Sequence, residues 1–177
     1  SQVDASVGGK NGVNFGGYKN MLGVFNQPEF VIIDTSMLET LDKREFRSGF
    51  AEIVKAAAIR DESLFGYIEN HGTDALNNKP DVMEKLIYES VLIKSRVVLL
   101  DEKEKGERKI LNFGHTVAHA IEHTTGMLHG EAVSLGMVLA ANLSVKLGLL
   151  PGSESDRIAQ VLHRLSLPVT LQTDHAA

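Results

Sequence analysis

Between residues 131 and 147 the chain is apolar on nearly every side of a helix: Ala132, Val133, Leu135, Met137, Val138, Leu139, Ala140, Leu143 and Val145 recur with no polar face. Water tolerates such a helix only when other elements surround it, so the segment predicts a helix buried in the middle of a bundle. Gly148 stands at the usual stop and Pro151 follows, which ends the helix there.

Amphipathic segments fit to cover it lie on both sides. KREFRSGFAEIVKAAAIRD, from Lys43, sets Phe46, Phe50, Ile53, Val54 and Ala57 at helical spacing. Ser63 to about His71 reads as a second, short helix. Pro80 opens a long one, with Val82, Leu86, Ile93, Val97 and, loosely, Val91 on its apolar side. Residues 101–109, DEKEKGERK, form a charged turn around Gly106, and a last amphipathic helix runs from about Glu154 to Leu165. Residues 1–30 are different: Gly8, Gly9, Gly12, Gly16, Gly17 and Gly23 predict loop with tight turns, and a long loop of this kind is usually functional. FVIID, residues 30–34, is a short buried-strand pattern, after which Thr35 or Ser36 suits the cap of a short helix through Leu41. The expected fold is mainly α: a helical bundle over residues 35–177, preceded by a Gly-rich segment, residues 1–34, with one short strand and hardly any sheet.

Composition closes several routes. The 177 residues suit one domain or a little more. A net charge of −5, with 18 basic and 23 acidic residues spread along the chain, gives no general attraction to nucleic acid. With no cysteine there is no disulfide framework, thiolate metal site or cysteine nucleophile, so any metal must be held by His, Asp, Glu or water. No apolar run reaches the roughly 18 residues of a membrane span, and the polar, Gly-rich start does not resemble a signal peptide; the cytoplasm is the default location.

Three groups of residues can carry chemistry. LNFGHTVAHAIEHTTGMLHGEA, residues 111–132, holds four of the seven histidines: His115, His119, His123 and His129. A pair four residues apart shares a helix face but is common by chance, and it lacks the internal Glu of a zinc-protease motif. Asn112, His115 and His119 fall on one helical stripe, with Arg108 just before it and Lys94 on the preceding helix. His71, His163 and His175 are isolated and read as surface residues. Glu52 and Lys55 form the second group, three apart among Ala51, Ile53, Val54 and Ala56. Either they are an ordinary surface pair, or they are buried and the carboxylate requires a metal or a lysine partner. The third group is Asp4, Lys10, Lys19 and Asn20 in DASVGGKNGVNFGGYKN, where adjacent glycines permit close backbone approach and a lysine suits phosphate, although no Walker loop is present. One ion held by Glu52, His115 and His129 would keep positions open for water or substrate, as catalytic sites do, and two imidazoles with one carboxylate suit zinc, cobalt or manganese.

Five pieces, DASVGGKNGVN, KNMLGVFNQP, REFRSGFAEIVK, RKILNFGHTVAHAIE and LHGEAVSLGM, together resemble the 3-dehydroquinate synthase family of the sugar phosphate cyclase superfamily. The resemblance runs from residue 4 to about residue 150. It implies a lyase of the shikimate pathway of aromatic amino acid biosynthesis, dependent on NAD and on zinc or cobalt. The family's substrate is 3-deoxy-D-arabino-heptulosonate 7-phosphate, and its products are 3-dehydroquinate and phosphate. It makes Glu52, His115 and His129 the metal ligands. Lys10 and Lys19, with Met37, Leu38, Glu39 and Thr40, become contributors to the cofactor region. Asp4, Asn20, Lys55, Lys94, Arg108, Asn112 and His119 become pocket residues: Lys55 and Asp4 toward hydroxyls, Arg108 and Lys94 toward the carboxylate, Lys10, Asn20 and Asn112 toward phosphate, and His119 as a proton carrier.

The family's N-terminal Rossmann-like half, with its glycine-rich NAD site, is expected to be missing from this chain, as is a C-terminal tail bearing a further lysine. The chain then reads as an inactive C-terminal fragment of a homodimeric enzyme with no nucleic-acid or membrane partner. Alternatives are another sugar phosphate cyclase such as a 2-deoxy-scyllo-inosose or valiolone synthase, a protein like the metal-dependent alcohol dehydrogenases, or a non-catalytic metal-binding helical domain. Arg108 and His119 favour the carboxylate-bearing substrate over the first, and Glu52 with the Lys10 and Lys19 segment point away from the second.

Overall fold

In a computed structural model, residues 2–16 and 18–171 are described, with the backbone alone for Asn14, Tyr18, Lys19 and Asn20. Six helices follow a hairpin: β1 (Lys10–Phe15), β2 (Tyr18–Phe25), α1 (Lys43–Arg60), α2 (Glu62–Leu76), α3 (Pro80–Leu100), α4 (His115–Thr125), α5 (His129–Lys146) and α6 (Gly152–Arg164). Short 3-10 turns cover Thr35–Leu38 and Glu107–Asn112.

The helices start where local chemistry supplies partners for their first N–H groups. Asp42 caps α1 by accepting from Arg44 N at 2.8 Å, Asp61 caps α2 by accepting from Leu64 N at 2.9 Å, and Pro80 opens α3. Two helices organise the bundle. α1 packs against α2, α3, α5 and α6, while α5 packs against α1, α4 and α6. Their shared core holds Phe50, Ile53, Val54, Leu86, Val133 and Met137, all nearly or wholly withdrawn from solvent.

The central-helix expectation holds for the first half of α5 and fails for the second. Residues 132–138 are all buried, but Leu139 is 47% exposed and Leu143 56%. These leucines, with Leu147, recur every fourth residue on one stripe, and among the described residues no element covers them.

The N-terminal segment departs further from expectation. Residues 10–25 are not loop but an antiparallel hairpin, pairing Lys10 with Phe25 and Val13 with Leu22 across a turn in which Gly16 takes a left-handed φ of 59°. The glycines that suggested loop serve the turn and a tight crossing, since a Cβ on Gly23 would strike the Asn11 carbonyl. FVIID, in contrast, is irregular: among the described residues it meets no partner strand, and Phe30 and Ile32 are 75% and 81% exposed. Its Asp34, rather than Thr35 or Ser36, is the cap, accepting from Ser36 N at 3.0 Å, and the turn it opens stops at Leu38 instead of reaching Leu41.

Candidate metal centre

Glu52 sits on the core-facing side of α1 and is buried, as is Lys55 three residues on. A buried carboxylate demands compensation. Lys55 Nζ lies 2.5 Å from Glu52 Oε2, His115 Nε2 lies 3.5 Å and His129 Nε2 3.1 Å from Glu52 Oε1. The surface-pair alternative for Glu52 and Lys55 is thereby excluded.

Two close backbone approaches bring the three helices to this point. Gly130, next to His129, lies so near α1 that a Cβ there would collide with the Ser48 carbonyl, and its N–H donates to Ser48 Oγ at 3.0 Å. Gly136 meets the Gly114 carbonyl equally closely, and Gly114, with φ 81°, turns the chain into α4 immediately before His115. Side chains at these positions would push the histidine-bearing backbones away from Glu52.

Asp4 extends the network. Its Oδ1 is 2.5 Å from Lys94 Nζ and its Oδ2 3.8 Å from Lys55 Nζ, so Asp4, Glu52, Lys55, Lys94, His115 and His129 form one connected polar cluster in an apolar bundle. Charges follow from this packing. Burial pushes Glu52 upward, but hydrogen bonds to His115 and His129 and the Lys55 charge outweigh it and hold the carboxyl well below its ordinary range. The hydrogen bond to Glu52 raises His129, while burial lowers Lys94 despite Asp4.

One Glu52 oxygen and one nitrogen each from His115 and His129 lie within 4.8 Å of one another. Ligands about 2.05 Å from a tetrahedral ion stand about 3.3 Å apart, close to the 3.1 and 3.5 Å separations between Glu52 Oε1 and the two imidazoles. Each imidazole's other nitrogen faces an acceptor oxygen. His115 Nδ1 faces the Phe113 carbonyl at 3.2 Å and His129 Nδ1 faces Glu122 Oε2 at 3.3 Å. The donor set therefore fits a divalent zinc or cobalt ion with positions left open.

A second cluster gathers around Glu104. Lys10 and Asn112 both bind its carboxylate, Asn112 at 2.9 Å. Burial raises the Glu104 carboxyl, and these two hydrogen bonds bring it below the ordinary value. Its φ of 55° is costly for a side chain other than glycine, a strain that recurs at functional positions. The alternation of charge in DEKEKGERK gave no reason to single this residue out. Arg108 is 2% exposed, and it donates to the Gly8 carbonyl at 2.8 Å and the Glu102 carbonyl at 2.5 Å, while Nε has no hydrogen-bond partner among the described residues.

Other expected positions fall at different distances from these clusters. Asn112 does not share a helix stripe with His115, because Gly114 breaks the chain between the 3-10 turn and α4. The His119 ring lies 5.9 Å from that of His115. Met37 and Leu38 line a cavity of about 440 Å³ that also touches Glu52 and His129, whereas Glu39 and Thr40 are exposed outside it. The side chains of Lys19 and Asn20 lie outside the described residues, as does His175, and His123 and His163 are exposed.

Residues 49–177 match the family model for the C-terminal part of 3-dehydroquinate synthase, and residues 1–48 match that for the N-terminal part. The chain belongs to the 3-dehydroquinate synthase family. It is 49% identical over 171 residues to a 3-dehydroquinate synthase of Acidithiobacillus ferrooxidans, covering 95% of this chain and 47% of the relative. It is 47% identical over 178 residues to that of Thermoanaerobacter pseudethanolicus, covering 99% and 50%. The chain thus spans about half the length of the curated relatives it matches.

Similar solved structures extend the kinship of this 3-dehydroquinate synthase family member to other sugar phosphate cyclases. A 2-epi-5-epi-valiolone synthase from Streptomyces hygroscopicus, with NAD+ and Zn2+ bound, superposes with a TM-score of 0.89 at 34% identity, covering 97% of this chain and 49% of that one. A 2-deoxy-scyllo-inosose synthase complexed with carbaglucose-6-phosphate, NAD+ and Co2+ gives 0.84 at 28%, covering 97% and 47%.

Proposed function

We propose that this chain is the metal- and substrate-binding part of a 3-dehydroquinate synthase, acting on 3-deoxy-D-arabino-heptulosonate 7-phosphate with NAD and a divalent ion. The observation that carries the reading is the convergence of Glu52, His115 and His129 from three helices on one point, wired through Lys55 to Asp4 and Lys94. When bound, the ion supplies a Lewis acid for vicinal hydroxyls and NAD supplies a transient acceptor of hydride.

The chain's own residues do the rest. Lys55 and Asp4, held against each other and against Glu52, present a donor and an acceptor to substrate hydroxyls. Lys94, whose pKa burial lowers, and Arg108, whose Nε has no hydrogen-bond partner among the described residues, suit the substrate carboxylate. Lys10, Asn20 and Asn112 suit the phosphate, and Lys10 and Asn112 sit together on Glu104. Substrate phosphate in that place would compete with the Glu104 carboxylate for both donors. His119, one helical turn from His115, suits the role of proton carrier. Met37 and Leu38 give the cavity beside His129 an apolar wall for the cofactor, and Lys10, Lys19, Glu39 and Thr40 belong to the same proposed cofactor region.

Residues 1–34 then form the segment between the cofactor half and the helical residues 35–177, and the exposed apolar side chains of the hairpin and of Phe30–Ile32 suit contact with that half. A homodimer in the cytoplasm belongs to the same reading; among the described residues no helix is long and apolar enough to cross a membrane. The near 50% identities to 3-dehydroquinate synthases, against 34% and 28% to the other cyclases, favour the acid-bearing substrate.

The test is phosphate release from 3-deoxy-D-arabino-heptulosonate 7-phosphate with NAD and zinc or cobalt. The chain alone should show none, and the chain joined to an NAD-binding half of a relative should show turnover that Lys55→Met and His119→Ala reduce by at least about 100-fold. Release of phosphate by the joined protein from a substrate lacking the carboxylate, with none from the heptulosonate, would place it among the other cyclases.

A further inference from the structure

Glu122 has no part in the chemistry just described, yet its side chain is 8% exposed and turned toward the metal centre. It lies seven residues after His115 on α4, on the same face, and its Oε2 stands 3.3 Å from His129 Nδ1 at the start of α5. The opposite nitrogen of that ring, Nε2, is 3.1 Å from Glu52 Oε1.

An imidazole offers one nitrogen lone pair to an ion, and which nitrogen is free depends on where the proton sits. The two histidines settle this differently. His115 Nδ1 faces a backbone carbonyl, which can only accept, so the ring keeps its proton on Nδ1 and leaves Nε2 open. His129 is the first residue of α5, and its side chain is 46% exposed. Left alone, that ring could turn over and present either nitrogen. The Glu122 carboxylate narrows the choice: standing 3.3 Å from Nδ1, it offers that nitrogen only an acceptor, while Nε2 faces Glu52. A carboxylate behind a metal-bound imidazole also makes the ring a stronger donor than a carbonyl does.

We infer that Glu122 is a positioning residue for the metal centre, fixing the tautomer and orientation of His129 through Nδ1. The inference rests on the ligand set proposed above. Zn2+ and Co2+ affinities of the purified chain, read by competition with a chelator and by cobalt absorption, test it across Glu122→Gln, Glu122→Ala and His129→Ala. The expected order is a loss of about 10-fold for Glu122→Gln and up to about 100-fold for Glu122→Ala, with an altered cobalt spectrum. Ring nitrogen-15 spectra of the zinc-loaded protein give a readout that general packing would not move: His129 should bind through Nε2 with its proton on Nδ1, and through either nitrogen in mixture once Glu122→Ala is made. Should Glu122→Ala fail to fold, the near-isosteric Glu122→Gln decides alone. If His129→Ala loses the metal while both Glu122 variants bind as the parent does, the positioning role is wrong and the ligand set stands. If His129→Ala binds metal undiminished, the ligand set itself falls.

Discussion

The Glu52 region and the hairpin arm obey opposite rules. Around Glu52, charged groups are buried and mutually satisfied, and backbones approach so closely that glycine is required. In the arm the backbone is paired, but Val13, Phe15, Val24 and Phe25 are each more than half exposed. One region is finished within the chain, while the other is regular structure that gains little from its side chains. The lesson is that a hydrophobic pattern alone does not say where the covering surface comes from.

The largest expected effect tests the finished region. Gly136→Val places a side chain against the Gly114 backbone and should cost about 4 kcal/mol or more, read as loss of soluble folded protein or a collapse of Tm. In the arm, Gly16→Ala meets no neighbour and carries only the left-handed penalty of about 1–2 kcal/mol, much of it local to the turn. Next is Leu86→Ala in the core of α3, expected to lose about 2–5 kcal/mol by urea denaturation, whereas Phe15→Ser should stay within about 0.5 kcal/mol. Equal losses at Leu86 and Phe15 would erase the contrast between the regions.

A smaller effect comes from α2 and α6, where Arg157 forks onto Glu69 with two contacts of 2.8 Å. The hydrogen bond to Arg157 sets Glu69 below its usual value of 4.5. A depressed carboxyl contributes stability that is present above its unfolded pKa and is lost as pH falls through the lower folded value. Arg157→Ala should therefore cost under about 1 kcal/mol at neutral pH, since water screens this partly exposed pair, and the difference should vanish in acid. Parallel losses at pH 7 and pH 3 would attribute the effect to packing instead.

The two regions were not equally legible in the sequence. Apolar residues at helical spacing placed α1, α3 and α6 within a few residues, because packing on one face leaves a periodic trace. The apolar residues around Glu52 and Lys55 raised burial as one of two readings, but whether the pair faced core or water was not legible, since that depends on α4 and α5. The hairpin was hidden by its glycines, which signal turns without saying that strands join them. FVIID showed the reverse: a strand pattern has no sheet to join unless a partner is present. Glu122 and Glu104 escaped notice because their positions acquire meaning only when α5 and the Lys10 strand arrive beside them.

The central claim is that Glu52, His115 and His129 hold one divalent ion. The direct measurement is bound zinc per chain after dialysis for the parent, Glu52→Ala, His115→Ala and His129→Ala, with circular dichroism to confirm that the helices persist. One zinc per parent chain, and affinity reduced by at least about 100-fold in each folded variant, is the predicted result. Undiminished zinc in all three variants would contradict it.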